Sequence, residues 1–66
     1  MVEAALFAGP ALRRLRKRES LTQAAAAARL GISPSYLNLI ERNQRPISAR
    51  VMVQLVEQFD FDPRSL

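Results

Sequence analysis

The sequence predicts an all-α domain, a compact bundle of four to five helices. Apolar residues recur at intervals of three and four, which is the spacing of one face of a helix. Gly and Pro residues divide the chain into short segments of helical length. The 66 residues include no Cys and no His, so disulfides and zinc cannot stabilise so short a chain. A small apolar core must therefore hold the helices together, with help from dimerisation or a bound partner.

The first helix is expected from about Pro10 to Glu19. Proline is favoured at the first helical position, where its missing N–H group is no loss. Leu12 and Leu15 are three residues apart and should face inward, while cationic side chains cover the other sides. Phe7 is expected to pack against the start of this helix.

The second helix is expected to begin with Thr22 as its N-cap and to run to about Leu30. Its body contains five consecutive Ala residues at 24–28, and Ala has the highest helix propensity. Ala26 stands where a larger apolar residue would face the core, so a thin core or a small void is expected there. Gly31 ends the helix in the left-handed conformation that glycine adopts at little cost.

The third helix is expected over residues 33–42. Ser33 as N-cap, followed by Pro34 at the first helical position, is a strong start signal. Leu37 and Ile40 are three apart and should face the core. The side chains between them then point elsewhere and are free for other contacts.

The fourth helix is expected from Ser48, its N-cap, to Phe59. Its expected apolar stripe consists of Met52, Leu55, Val56 and Phe59. Asn43 should close the third helix, because Asn tolerates the left-handed conformation better than most residues. Asp60 is a candidate turn residue after the fourth helix.

The last residues of the chain carry two further expectations. Phe61 and Leu66 are apolar and are expected to fold back onto the core. Pro63 is expected to open a last short turn, which would be the fifth helical piece.

The charge balance favours a polyanionic partner. Ten Lys and Arg against six Asp and Glu give a net charge of +4. Nine of the ten cations are Arg, whose guanidinium group binds phosphate through two parallel hydrogen bonds. A solvated basic surface is the alternative, since half of the cations fall in the first helix: Arg13, Arg14, Arg16, Lys17 and Arg18.

No targeting or membrane-spanning segment is indicated. The longest apolar stretch falls far short of the roughly 20 residues that a bilayer requires. The N-terminal residues MVEAALFAGP lack the basic region of a signal peptide. A cytoplasmic protein, associated with the nucleoid if it binds DNA, is the expectation.

The junction between the second and third helices is the most informative feature. Two helices of roughly nine residues are joined by Gly31, Ile32 and Ser33, and a turn of this length containing Gly is typical of the helix-turn-helix motif. Ile32 should fill the angle between the helices, and the small Ala27 should lie where they cross. An ordinary helical hairpin in a bundle is the alternative.

The segment from Leu21 to Pro46 resembles the DNA-binding domain of the Cro/phage-repressor class of regulators, also called the xenobiotic-response-element class. The matching motifs are Leu21-Thr22-Gln23, Leu30-Gly31-Ile32-Ser33, Ile40-Glu41-Arg42 and Arg45-Pro46. The resemblance spans about residues 6–66 and implies a lambda-repressor-like fold. The segments LFAGPALRRLR and SPSYLNLIERNQRPISARV resemble more particularly the N-terminal domains of larger bacterial regulators that sense short-chain fatty acyl-CoA.

The sequence departs from the family pattern in three places. Asn43 and Asp60 stand where the family usually has Gly, and Ala25-Ala26 replaces a common Glu-Leu pair. Asp60 and the Ala25-Ala26 pair lie off the expected DNA face, so the departures bear on stability more than on binding.

The resemblance implies binding to double-stranded DNA, with the helix at residues 33–42 in the major groove. Its first turns would read bases, and the residues around it would contact phosphates. The expected DNA-binding residues are Thr22, Gln23, Ser33, Pro34, Ser35, Tyr36, Asn38, Leu39, Arg42, Asn43, Arg45 and Arg50. Three of these have structural alternatives: Tyr36 as a half-buried residue, Leu39 at the edge of the core, and Asn38 in solvent.

The resemblance also implies one structural ion pair. An Arg of the first helix pairs with the Glu of the recognition helix in this family, and the matching residues are Arg16 and Glu41. The pair would tie the two helices together and leave Arg16 near the DNA backbone.

The sequence as a whole is interpreted as a single DNA-binding domain, residues 1–66, with its helix-turn-helix at 22–42. We expect a transcriptional regulator, more specifically a repressor, that binds an inverted-repeat operator as a homodimer. A sensor or dimerisation domain would lie outside this chain. No enzyme activity, metal or cofactor is expected. The alternative is an antitoxin-type or other protein-interaction module, with Val51 and Val53 as the partner-contact residues.

Overall fold

A computed structural model of the chain describes residues 7–62, which form four helices. They are α1 (Gly9–Arg18), α2 (Gln23–Leu30), α3 (Pro34–Glu41) and α4 (Ala49–Phe59). Helix α2 packs against α3 and α4, and α1 packs against α3. The predicted all-α fold is confirmed. None of these helices is long and apolar enough to cross a membrane.

Side-chain caps start three of the helices where the sequence predicts them. The hydroxyls of Thr22, Ser33 and Ser48 accept hydrogen bonds from backbone N–H groups three residues later. Each hydroxyl satisfies one of the N–H groups that the first turn of a helix leaves unpaired. Helix α1 has no side-chain cap of this kind, and it begins and ends one residue earlier than predicted, at Gly9 and Arg18.

The core lies where α2, α3 and α4 meet. Its largest fully buried side chains are Leu37, Ile40, Leu55 and Val51. Leu12 and Leu15 of α1 are also buried, as the spacing predicts.

The apolar stripe predicted for α4 is partly wrong. The buried residues are Val51, Leu55 and Phe59, spaced by four. Val56 is 41% exposed, and Met52 lies at the edge of the core. The inward face therefore includes Val51 in place of Val56, because it is Val51 that the surrounding core covers when the helices pack. Val51, 1% exposed, cannot contact a partner as the interaction-module alternative required.

The remaining expectations concern packing. Phe7 is 52% exposed and is not a core residue, and its packing against the start of α1 stays a prediction. The void expected beside Ala26 is present and small, about 10 Å³. Phe61 is half-buried against the core as expected, whereas the expectations for Leu66 and Pro63 fall outside the described residues.

Candidate nucleic-acid interface

A sharp turn sets the angle between α2 and α3. Gly31 ends α2 with φ 72° and ψ 29°, the left-handed conformation that the sequence predicts. Ile32 donates its N–H to the carbonyl of Ala27 at 3.0 Å and packs its half-buried side chain against the core. Ala27 is fully buried, so the two helices approach closely at this position. These contacts fix the direction in which α3 begins.

The first turn of α3 stands free at the surface. Ser33, Pro34 and Ser35 are exposed, and no charged residue lies among them. Further along the helix, Asn38, Leu39 and Arg42 continue the same outer face at the spacing of one turn, while Leu37 and Ile40 are buried. The outer face therefore changes from small and uncharged at its start to cationic at its end.

Three residues of α3 had structural alternatives, and one of them, Asn38, accepts a hydrogen bond from Gln23 instead of standing free in solvent. Tyr36 is half-buried and packs against the core, so its ring is anchored at the edge of the outer face. Leu39 is partly exposed and is not among the described residues that pack against the core. Leu39 is therefore placed where an apolar ligand group could touch it.

A hydrogen-bonded polar cluster joins α1, α2 and α3. Arg16 Nε lies 2.6 Å from Glu41 Oε2, and Arg16 Nη2 lies 3.0 Å from Glu41 Oε1. Arg16 Nη1 also donates to the carbonyl of Leu21 at 3.0 Å. Gln23 Nε2 donates to Glu41 Oε1 at 3.1 Å and to Asn38 Oδ1 at 3.2 Å. The side chains of Arg16 and Glu41 are 14% and 3% exposed, so this is a largely buried pair.

The cluster holds both charges in place at neutral pH. Burial alone raises the pKa of Glu41, but hydrogen bonds from Arg16 and Gln23 and the positive charges of Arg16 and Arg13 lower it below its ordinary value. The hydrogen bond to Glu41 outweighs burial at Arg16 and holds the pKa of its guanidinium above its ordinary value. Glu41 is therefore an ionised structural residue with its oxygens already occupied.

Gln23 is placed differently from what the sequence suggested. Both hydrogens of its side-chain amide nitrogen point to acceptors within the protein, Asn38 and Glu41. A phosphate at the start of α2 would therefore meet the backbone N–H groups of the first turn, which a helix leaves unpaired. The side chain of Gln23 positions α3 in this arrangement, and its contact with DNA stays a prediction.

A polar cleft opens beside this cluster on the side of α3. Its volume is about 270 Å³ and it is lined by Arg13, Arg16, Gln23, Asn38, Glu41 and Arg42. Three guanidinium groups face one carboxylate there, so the cleft carries net positive charge. Sequence reasoning missed Arg13, because the cations of α1 were treated as one solvated face. The separation of one helical turn between Arg13 and Arg16 was the signal that could have identified it.

The segment after α3 presents two exposed cations, Arg42 and Arg45. Asn43 has φ 58°, and its Oδ1 accepts the N–H of Gly9 at 2.9 Å. Asn43 thus joins the end of α3 to the start of α1, a structural role that sequence reasoning did not foresee. Arg50 is exposed on the first turn of α4, outside the cleft.

Comparisons with known proteins agree with this geometry. A family model described as helix-turn-helix matches residues 12–66. The HTH-type transcriptional regulator PrpR of Mycobacterium tuberculosis is 50% identical over 54 residues, which are 82% of this chain and 11% of that protein. A propionyl-CoA carboxylase regulator of Cereibacter sphaeroides is 48% identical over 61 residues, which are 92% of this chain and 13% of that protein.

A solved structure and a third relative extend the comparison. The restriction-modification controller protein C.AhdI from Aeromonas hydrophila superposes with a TM-score of 0.76 at 36% identity, covering 85% of each chain. The HTH-type regulator RamB of Mycobacterium tuberculosis is 43% identical over 56 residues, which are 85% of this chain and 12% of that protein. The chain thus spans about an eighth of the curated relatives it matches. Together these similarities support a role in DNA-binding transcription regulation.

Proposed function

Since the chain belongs to the helix-turn-helix family, we propose that it is the sequence-specific DNA-binding domain of a bacterial transcriptional regulator, with α3 in the major groove. The observation that carries the proposal is the exposed, uncharged first turn of α3, with Arg42 at the other end of the same helix and Arg13 in the adjoining cleft. Small hydroxyl side chains can approach base edges closely, whereas cations bind phosphates of the backbone.

The proposal divides the interface into base-reading and phosphate-binding residues. Ser33, Pro34 and Ser35 enter the groove first, and the Ser35 hydroxyl can donate to or accept from a base edge. Tyr36 and Leu39 border this entry and offer apolar contact to a thymine methyl group. The phosphate-binding residues are Thr22, Gln23, Asn38, Arg42, Asn43 and Arg45, to which the cleft adds Arg13.

The longer protein is proposed to be a repressor that acts as a homodimer on an inverted repeat. One copy of α3 covers only a half-site, and two copies on one face of the DNA lie about 34 Å apart. This domain is about an eighth of the length of its relatives, which leaves ample length for a sensor domain, so effector binding is assigned outside these residues.

The proposed location is the cytoplasm, at the nucleoid, because a regulator acts where the DNA is. The relatives are regulators, which supports binding rather than catalysis.

The test is binding to the duplex from upstream of its own gene and to a shuffled duplex, by fluorescence anisotropy at several salt concentrations.

Arg42→Ala should weaken binding to every sequence. It should also reduce the salt slope, the dependence of the logarithm of the binding constant on the logarithm of the salt concentration, by about one, because one phosphate contact is lost. Ser35→Ala should change the preferred sequence and leave the salt slope unchanged, since a hydroxyl neutralises no phosphate. Arg13→Ala should behave like Arg42→Ala.

Arg14→Ala is the matched control. Arg14 is an exposed Arg of the same helix as Arg13, but it lines a different surface, next to residues 60–62. Its removal should leave the salt slope unchanged. If Arg14→Ala lowered the slope as much as Arg13→Ala, the cleft would have no special role. Absence of binding to either duplex at low salt would favour the antitoxin-type interaction module instead.

A further inference from the structure

Helix α4 has a second apolar face, on a side of the helix outside the core. Among residues 7–62, three large hydrophobic side chains are exposed, and two of them, Val53 (51%) and Val56 (41%), belong to α4. With the exposed Ala49 they follow the spacing i, i+4, i+7, which places all three on one side of a helix. This stripe, Ala49–Val53–Val56, points away from the buried Val51 and Leu55.

The charges beside the stripe are placed unfavourably for their own helix. Arg50 lies in the first turn of α4, where the helix dipole is positive, and Glu57 lies in the last turn, where it is negative. Both side chains are exposed, and neither has an ion-pair partner among the residues that the structure describes. They are seven residues apart, so both lie on the same flank of the stripe.

We propose that this face pairs with the same face of a second copy, with the two α4 helices antiparallel about a two-fold axis near Val53. Such an axis reverses the direction of the second helix but leaves the charged flanks of both helices on the same side of the pair. Arg50 of each copy therefore meets Glu57 of the other, which gives two ion pairs. Each charge then also lies beside the helix end of opposite sign in its neighbour. The pairing therefore gives both Arg50 and Glu57 an opposite charge and a helix end of favourable sign.

The small size of the stripe determines how the pairing works. A stable interface buries about 800 Å² on each partner, far more than two half-exposed valines supply. Free copies should therefore pair only transiently, and adjacent half-sites on DNA should raise their effective concentration. The inference deepens the proposed function, since it names the surface that joins two copies on an inverted repeat, and it assigns Arg50 to that surface rather than to a phosphate.

The test traps the pair without DNA. The chain contains no Cys, so Val53→Cys introduces a single thiol close to the two-fold axis. Ala49→Cys is the matched control on the same stripe, because antiparallel pairing separates the two copies of residue 49 by more than about 10 Å along the helices. Under mild oxidation, V53C should form disulfide-linked dimers at least about fivefold faster than A49C, since a disulfide needs its Cα atoms within about 7 Å.

A charge exchange tests the flank contacts. In the V53C background, Glu57→Arg should slow cross-linking to the rate of A49C, because two like charges then face each other. Adding Arg50→Glu should restore the rate, because each pair is rebuilt with its signs exchanged. Loss of folding cannot mimic this result, since Arg in the last turn of a helix is favourable and circular dichroism monitors the helices.

Equal cross-linking of V53C and A49C would overturn the antiparallel pairing. Failure of the charge exchange to restore the rate would overturn the contact between Arg50 and Glu57. Cross-linking needs no DNA, so a chain that pairs in this way but binds neither duplex would refute the proposed function and leave the pairing intact.

Discussion

Helix α1 begins so close to the end of α3 that residue 9 has no room for a side chain. The start of α1 lies against the end of α3, where Gly9 donates its N–H to Asn43 Oδ1 at 2.9 Å. A Cβ atom at Gly9 would lie 2.7 Å from Asn43 Oδ1 and would collide with the carbonyl oxygen of Glu41. The amide of Asn43 thus takes the place of a side-chain cap for α1, and it can do so only because residue 9 has no side chain.

Gly9→Ala should destabilise the protein by about 1–3 kcal/mol, because overpacking against backbone outweighs the better helix propensity of Ala. Urea unfolding followed by circular dichroism measures the change. A rise in stability of about 1 kcal/mol, the size of the propensity gain, would mean that α1 can move away from α3 at no cost.

Every one of the four helices is followed by a residue in the left-handed conformation. These residues are Ser20 (φ 58°), Gly31 (φ 72°), Asn43 (φ 58°) and Asp60 (φ 53°). Asn and Asp adopt this conformation more readily than other non-glycine residues, which explains how they can replace the usual Gly of the family. Ser20 has no such preference, and sequence reasoning gave no sign that the link between α1 and α2 requires a positive φ.

Ser20→Gly should therefore stabilise the protein by about 0.5–1 kcal/mol, since relief of backbone strain exceeds the added entropy of the unfolded chain. Ser20→Ala is the control, because it removes the hydroxyl and keeps the strain. Thermal unfolding of the three proteins measures both effects. Equal gains from Gly and Ala would show that the hydroxyl, not the backbone angle, is unfavourable.

The polar cluster around Glu41 acts at the scale of the whole molecule. Arg16 belongs to α1, Gln23 to α2, and Asn38 and Glu41 to α3, so one ionised carboxylate joins three of the four helices. Its position beneath the cleft also fixes how the cations of α1 stand relative to α3. The stability of the fold and the geometry of the interface therefore both depend on the ionised state of Glu41.

The pKa of Glu41 is lowered in the folded state, so its ionised form stabilises the fold. This contribution is complete above the unfolded pKa of about 4.3 and is lost as the pH falls through the lower folded pKa. Glu41→Gln should remove this part of the acid sensitivity and cost on the order of 3 kcal/mol at pH 7, because Arg16 loses its partner.

Glu57→Gln is the control, since that carboxylate is exposed and has no ion-pair partner in the described part of the chain. Urea unfolding at pH 7 and at about pH 3 compares the three proteins. If Glu41→Gln and wild type lost stability equally on acidification, the carboxylate would not be the group responsible.

Features that depend on neighbours along the chain follow directly from the amino-acid sequence. Thr22, Ser33 and Ser48 cap their helices because a hydroxyl reaches an N–H group only three residues away, and Gly31 turns left-handed because it has no Cβ. The resemblance of residues 21–46 to one family adds the helix-turn-helix arrangement, and the match to residues 12–66 confirms it.

Features that depend on distant residues emerge when the helices pack together. Periodicity cannot fix the inward face of α4 to within one residue, and in the folded protein Val51 is buried instead of Val56. The contact of Gly9 with Asn43 joins residues 34 apart, and the bonds from Gln23 to Glu41 span 18. Such contacts arise from the way the helices pack, because each side chain's partner is set by the approach of another helix rather than by its own sequence neighbours.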